Sequence, residues 1–226
     1  MKRPIAALLL PLLAAMAGPA AAADEPSAAE QLLFNAPHLQ GQRAPAALNY
    51  RYDEQAGGRS VLEDSVRMTL LPASGGACCK VQGRFLNGAN ALPLPDIDSA
   101  TSNPVLLYFL EYEVRRLART TGGTAAHFRR RIREALVQAQ VSPAPVPWQG
   151  RTLVAKAVQI APFEDDPFRN RFEDQAQTRY RFLLSDEVPG GFLELSATLP
   201  AAQPSEPPRR LDRVRLDERT PRTETP

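Results

Sequence analysis

The fold is decided by residues 103–140, which read NPVLLYFLEYEVRRLARTTGGTAAHFRRRIREALVQAQ. Leu106, Leu110 and Val114 recur at steps of three and four residues, a spacing that predicts the apolar side of an α-helix. Asn103 followed by Pro104 is typical of a helix start, because asparagine accepts a hydrogen bond from an unpaired backbone N–H and proline fits the first turn. We therefore predict a helix that begins at this pair.

A second helix should follow after a short turn. Gly122 is typical of the residue that ends a helix, and Thr124 can cap the next one. Phe128, Ile132 and Leu136 predict the apolar side of the second helix, while most arginines of the stretch fall on its other sides. Residues 103–140 are therefore predicted to form a helical hairpin with one apolar side and one arginine-rich side.

Apolar and polar residues alternate in about six further segments, which is the period of strands with one buried face. These segments are residues 48–52, 66–70, 79–85, 151–161, 180–184 and 193–199. Because strands lie on both sides of the hairpin in the sequence, we predict an α+β fold: a curved antiparallel sheet that forms an open half-barrel with the hairpin packed on its concave face. Residues 141–150 hold several prolines and are predicted to form an extended connector.

Residues 1–23 have the pattern of a secretory signal peptide. Lys2 and Arg3 precede a short apolar run, and small residues up to Ala23 offer a cleavage site. The run is shorter than a membrane-spanning helix needs and is interrupted by Pro11, which disfavours an uncleaved anchor. The prediction is export to the periplasm, with no membrane span after cleavage near Ala23.

The rest of the chain divides into two regions. Residues 24–200 are predicted to form a single α+β domain, since a chain of this length can bury one core. Residues 201–226 are rich in proline and charge, which predicts a disordered tail, although Val214 and Leu216 would suit a short edge strand. The 27 basic and 25 acidic side chains nearly balance, so the composition gives no support for nucleic-acid binding.

Familiar catalytic and metal-binding motifs are absent from the sequence. It has no G-x-S-x-G, phosphate-binding loop, H-E-x-x-H or C-x-x-C pattern, and its two histidines, His38 and His127, are interpreted as ordinary polar residues. We predict no metal site and no cofactor. The adjacent Cys78 and Cys79 leave two alternatives, a vicinal disulfide or one buried and one exposed thiol.

A cavity between sheet and hairpin is the first candidate site. A half-open sheet covered by helices can hold a lipid or another apolar small molecule, and the strands supply aromatic and aliphatic side chains that would line it. The alternative is that these residues simply form the core. The candidate lining residues are Tyr50, Tyr52, Met68, Phe85, Tyr180, Phe182 and Leu195.

The hairpin arginines are the second candidate site. They can converge around the turn at Gly122 and bind a phosphate, a carboxylate or a periplasmic protein partner. The alternative, which we favour, is that they form ion pairs with the acidic loop at residues 164–174. The arginines concerned are Arg115, Arg116, Arg119, Arg129, Arg130, Arg131 and Arg133.

Acidic residues provide a weaker signal. Asp96 and Asp98, or Glu164, Asp165 and Asp166, lack the regular spacing of a calcium-binding loop. A pair of carboxylates could serve a hydrolase, but nothing in the sequence selects a pair.

Two segments resemble a family of exported proteobacterial proteins. One runs from Phe109 through Gly122 to Arg133, and the other is YRFLLSDEVPGG at residues 180–191. The resemblance extends over residues 31–200 and implies no particular activity or site residue. The strand order is also similar to that of the LolA- and LolB-like open β-barrels that carry lipoproteins to the outer membrane, and this likeness is one of architecture only.

Two classes of function follow from these features, in order of preference. The first is a non-catalytic periplasmic binding or carrier protein for an apolar or amphipathic ligand, and with it an accessory protein that docks through the arginine-rich hairpin. The second is a hydrolase that uses carboxylates. A buried cavity would favour the first, and a perturbed carboxylate pair in a cleft would favour the second.

Overall fold

The structure is a computed structural model that describes residues 25–73 and 78–220. The predicted signal peptide, residues 1–23, lies outside the described residues, as does the end of the predicted tail, residues 221–226. The helices are α1 (Ala28–Glu30) with a following π-helical turn (Gln31–Asn35), α2 (Val105–Thr121) and α3 (Ala125–Val137). The strands are β1 (Ala46–Ala56), β2 (Arg59–Pro72), β3 (Cys78–Phe85), β4 (Val141–Trp148), β5 (Arg151–Ile160), β6 (Arg179–Leu184), β7 (Phe192–Leu199) and β8 (Arg210–Leu216). Short 3-10 turns cover Gly88–Asn90, Arg169–Arg171 and Glu173–Gln177.

The strands form one open antiparallel sheet in the order β3-β2-β1-β8-β7-β6-β5-β4. The described part of the chain thus has eight strands in this sheet, where the sequence predicted about six. The antiparallel α+β class is as predicted, and the strand count is corrected.

The last strand is the first of the two that sequence reasoning missed. Residues 201–226 were predicted to be disordered, with a short edge strand at most, but β8 lies in the middle of the sheet between β1 and β7. Val214 and Leu216 are fully buried on its inner side. β8 therefore joins the β1–β3 half of the sheet to the β4–β7 half.

The second missed strand is β4, which was predicted to be a connector. Its prolines, Pro143, Pro145 and Pro147, occupy alternate positions, and among the described strands β4 pairs with β5 alone. Proline cannot donate a ladder hydrogen bond, so it is tolerated in a strand only where the N–H would face away from a neighbour. The prolines thus mark an edge strand and prevent another strand from pairing with it.

The helical hairpin has the predicted ends. The side-chain oxygen of Asn103 accepts a hydrogen bond from the Val105 N–H at 3.1 Å. Gly122 ends α2 in the left-handed conformation, with φ 69°, and the Thr124 side chain accepts from the His127 N–H at 3.3 Å. These hydrogen bonds satisfy backbone groups that a helix end would otherwise leave unpaired.

The hairpin covers the apolar side of the sheet. Leu106, Phe128 and Ile132 are each at most 3 % exposed and belong to the same core as the strands, and Leu110 is half-buried. Asn103 fixes the start of α2, because its side-chain amide donates to the Tyr50 hydroxyl and to the Gly190 carbonyl, both at 2.8 Å. The prediction that the hairpin shields the sheet is confirmed.

Helix α2 approaches the sheet closely at Gly83 in β3. A Cβ atom at this position would stand 2.0 Å from the Tyr108 ring of α2. The ring lies directly on the strand backbone, and its hydroxyl donates to the Pro95 carbonyl at 3.3 Å. Only glycine leaves room for this arrangement.

Replacing Gly83 by alanine should therefore destabilise the protein by about 1–3 kcal/mol, the usual cost of overpacking a closed core. Thermal unfolding followed by circular dichroism would measure this. A second change, Tyr108→Leu, removes the ring atoms that clash and should recover part of the loss, whereas Tyr108→Phe should not. Wild-type stability of the Gly83→Ala protein would contradict the contact.

Residues 87–102 protect the other edge of the sheet, at β3. Their backbone bridges to β3 at Ile97 with Val81 and at Leu92 with Phe85. Adjacent to this segment, Cys78 and Cys79 are joined as a vicinal disulfide, the first of the two alternatives that the sequence left open. Residues 87–102 lack the alternating pattern of a strand because only isolated residues of this segment pair with β3.

Candidate functional site

The residues predicted to line a cavity lie together on the inner side of the sheet. All seven of them, Tyr50, Tyr52, Met68, Phe85, Tyr180, Phe182 and Leu195, are at most 2 % exposed. Tyr52 and Phe85 meet edge to face at 6.2 Å between ring centroids, and Tyr180 stacks on Phe182 at 6.5 Å. Close-packed rings of this kind form a core, so these positions offer a ligand no open surface.

Sequence reasoning did not find two buried ion pairs, one within α2 and one within β8. Glu113, which is fully buried, accepts hydrogen bonds from Arg116 Nε at 3.1 Å and from Nη2 at 2.8 Å. Asp212 in β8, also fully buried, accepts from Arg210 at 2.5 Å and 2.7 Å. It also accepts from the Tyr52 hydroxyl at 2.5 Å. In the sequence the i, i+3 spacing of Glu113 and Arg116 permits an ion pair, but nothing local shows that this pair is buried.

The environment of this cluster shifts the pKa values of its members. Burial raises the pKa of Glu113; Arg116 opposes that shift and Asp212 adds to it. Burial also raises the pKa of Tyr180, with the Glu113 charge as the second cause. Within the part of the chain that the structure describes, the Tyr180 hydroxyl makes no hydrogen bond. Both oxygens of each carboxylate are held by a guanidinium, and neither carboxylate reaches solvent. The cluster therefore fits a structural role, and it gives a carboxylate-dependent hydrolase no support.

The hairpin arginines do not converge on one site. Arg115 and Arg129 share Glu111, with ion-pair distances of 2.7 Å and 2.9 Å. Partial burial raises the pKa of Glu111, but hydrogen bonds from both arginines outweigh it and hold the pKa below its ordinary value. Arg130 pairs weakly with Glu134, at 3.8 Å.

The predicted pairing between hairpin and acidic loop is present at one residue of that loop. The buried carboxylate of Asp166 lies 3.0 Å from Arg131 Nε and 2.8 Å from His127 Nε2. His127 also contacts the rings of Phe128 and Phe172, at 5.6 Å and 5.5 Å between centroids. This group attaches the start of α3 to residues 162–177 and gives His127 a packing role.

Two hairpin arginines have no such partner. Among residues 25–73 and 78–220, no carboxylate lies within salt-bridge distance of Arg119 or Arg133. Both side chains are exposed. Arg133 stands on the side of α3 that faces α2 and the N-terminal helix, where its charge borders an apolar depression.

This depression, the hairpin groove, lies on the side of the hairpin away from the sheet. It has a volume of about 370 Å³, within the range of small-molecule sites. Its lining combines apolar side chains with charges at the rim: Phe34, Leu107, Leu110, Val114, Ile132 and Leu136, with Glu30, Glu111, Arg129 and Arg133.

Packing of the N-terminal turn against α3 creates the groove. Ser27 caps α1 and also donates to the Leu136 carbonyl at 3.4 Å, which holds the turn against the hairpin. Leu107 on α2 is 51 % exposed beside it. Sequence reasoning missed the groove because Leu107 lies outside the apolar stripe of α2 and nothing local indicates which element covers it.

Asp96 and Asp98, whose spacing already disfavoured calcium binding, have a partner within the protein. Lys80 bridges Asp96 and Asp98 at 3.2 Å and 3.3 Å. Across the two described ranges, no three His, Cys, Asp or Glu side chains come close enough to hold a metal ion. Within the same ranges, no helix has the length and apolar character needed to cross a membrane.

Comparison with known proteins identifies no relative by sequence. No family model matches the chain, and no curated protein matches it. Among solved structures, the chain is similar to the lipoprotein LppX of Mycobacterium tuberculosis, with a TM-score of 0.33 and 6% sequence identity over 80% of this chain and 90% of that one. A likeness of this size leaves function to be argued from the residues of the chain itself.

Proposed function

We propose that this protein is a non-catalytic binding protein whose ligand is an amphipathic anion, an apolar chain with a carboxylate or phosphate head. The hairpin groove is the observation on which the proposal depends. Its apolar floor would bury the chain, and burial of apolar surface is the main source of affinity for such ligands. We also propose that the protein acts in the periplasm after removal of residues 1–23.

The charges at the rim favour an anionic head group. Arg129 is already held by Glu111, and Glu111 is shared with Arg115. Arg133 has no ion pair within the described ranges and borders the apolar floor. A guanidinium in this position can bind a carboxylate or phosphate with paired hydrogen bonds. A cationic head group would meet the Arg133 charge unfavourably. The other acid at the rim, Glu30, has no arginine partner within the described ranges, but its carboxylate accepts a hydrogen bond from the Ser27 N–H at 2.9 Å.

Calorimetric titration with decanoate, decyl phosphate and decyltrimethylammonium, each below its micelle concentration, tests this proposal. The two anions should bind and the cation should not. Arg133→Gln should weaken anion binding about tenfold, the value of one hydrogen bond to a charged group. Arg130→Gln is the matched control, since Arg130 is exposed on the same helix but outside the groove.

The apolar floor is tested by Leu107→Gln, which should weaken binding of both anions because it places an amide against the alkyl chain of the ligand. Val137→Gln is its control, as Val137 is 41 % exposed and lies outside the groove. Neither substitution touches the core. Equal binding of cation and anions, or unchanged affinity in the Leu107→Gln protein, would overturn the assignment.

A further inference from the structure

The outer face of the sheet carries a second concentration of arginine, distant from the hairpin. Five side chains of β1, β2 and β3 point inward and are buried: Tyr50, Tyr52, Val66, Met68 and Phe85. Successive strand residues point to opposite faces, so Arg51 on β1, Arg67 on β2 and Arg84 on β3 point outward. All three are exposed, and we call them the basic triad.

Strand register places the basic triad in one patch. Arg67 and Arg84 are direct cross-strand partners. Arg51 is opposite Ser65, two residues from Arg67, so Arg51 and Arg67 are diagonal neighbours on the same face. Like charges that face each other across a strand pair destabilise a sheet. The fold thus tolerates an unfavourable contact at this position.

No acidic side chain neutralises the triad by direct contact. Within the described ranges, no carboxylate lies within salt-bridge distance of these three guanidiniums. Asp64 and Asp217 attract Arg84 and Arg51 only over longer distances. Two acids lie next to Arg51 in register: Asp53, which is paired with Arg213 at 3.1 Å, and Glu63, which accepts a hydrogen bond from the Ser60 hydroxyl at 3.3 Å. The patch therefore keeps its positive charge.

From this geometry we infer that the basic triad docks the protein on a lipid surface that carries anionic phosphate head groups. Side chains on a sheet stand roughly perpendicular to it, so the three guanidiniums project side by side instead of converging on one ion. Such an array matches phosphates spread over a plane, and each guanidinium can hold one phosphate with paired hydrogen bonds.

A protein partner fits this face less well. The centre of a protein interface is depleted in charge and enriched in aromatic anchors. The outward neighbours of the triad include no aromatic or large apolar side chain. They are the polar residues Asn49, Ser65, Thr69 and Gln82 and, beside Arg51, the charged residues Asp53, Glu63 and Arg215. This surface carries charge and no apolar anchor, which favours electrostatic attraction to an anionic leaflet.

Co-sedimentation with vesicles tests the inference. Vesicles of equal parts phosphatidylglycerol and phosphatidylcholine should bind the full chain, vesicles of phosphatidylcholine alone should not, and added salt should weaken binding. The double variant Arg67→Glu, Arg84→Glu should lose about 30-fold in affinity, from a typical contribution for each arginine near an anionic surface. The double variant Arg119→Glu, Arg130→Glu has the same net charge and should bind as the wild type does.

The single variant Arg84→Glu separates docking from folding. It replaces the like-charge contact with an opposite-charge pair and should raise the melting temperature by about 1–2 °C while it weakens vesicle binding. Leu107→Gln, which disables the hairpin groove, should leave vesicle binding unchanged, so this inference can fail or succeed independently of the proposed ligand. Equal losses in the two double variants would overturn it. So would binding to heparin that equals or exceeds binding to the anionic vesicles.

Discussion

A chain that ends at Pro200 should fail to fold. The truncation removes β8, which pairs with β1 through seven residues and with β7 through six. Without it the two halves of the sheet have unpaired inner edges, and the buried side chains of Val214 and Leu216 are lost from the core. Exposed strand edges and a divided core lead to aggregation more often than to a smaller stable domain. Loss of a cooperative thermal transition and of dispersed amide signals in an NMR spectrum would show the effect.

A chain that ends at Thr220 is the control for this truncation. It keeps β8 and the hydrogen bond from the Thr220 side chain to the Asn49 carbonyl, at 3.2 Å. It should unfold at the same temperature as the full chain. A chain ending at Pro200 that melts like the full chain would restore the expectation that residues 201–226 are a disordered tail, and it would contradict the sheet order.

β8 shows why part of the fold could not be predicted from the sequence. The strand has the alternation of an amphipathic segment, but one of its inward positions is Asp212. An acid in the middle of a short strand between proline-rich segments indicates solvent exposure. Its burial depends on Arg210 beside it and Tyr52 on β1, and the latter contact joins positions 160 residues apart. No local pattern contains that information.

The hairpin shows the opposite case. Its caps, its turn and its apolar stripe are all determined within a few residues, so the sequence predicts them correctly. The same local reasoning predicts arginines on the outer side but not their partners. Arg131 pairs with Asp166 because of how residues 162–177 fold back, whereas Arg133 is left at the rim of a groove. The candidate site is therefore a product of packing between distant segments.

The second large effect is expected from the buried ion pair between Glu113 and Arg116 within α2. Replacing Arg116 by methionine should lower the free energy of unfolding by about 3–5 kcal/mol, because it leaves the Glu113 carboxylate buried without a counter-charge. Arg116 itself is only 5 % exposed, and it also donates to the Gln175 side chain at 3.0 Å. Urea unfolding monitored by circular dichroism would measure the loss.

The double variant Glu113→Leu, Arg116→Met distinguishes a buried-charge penalty from loss of packing. Removing both charges together leaves no isolated ion, and such replacements are often neutral or stabilising. The double variant should therefore be more stable than Arg116→Met alone. If it is less stable, the guanidinium contributes mainly through its packing, and the ion pair is not the reason for the first loss.

The pH dependence of the Arg116→Met variant provides a further test. Burial raises the pKa of Glu113 in the folded protein above its ordinary value of 4.5. A group whose pKa is raised by folding contributes stability that is fully present below the unfolded pKa and is lost as the pH rises through the folded one. The variant lacks the Arg116 charge that opposes this rise in the pKa of Glu113. Its free energy of unfolding should therefore approach that of the wild type in acid and fall below it as the pH rises towards neutrality. A stability difference that stays constant with pH would mean that the Glu113 carboxylate finds another partner or reaches water when Arg116 is removed.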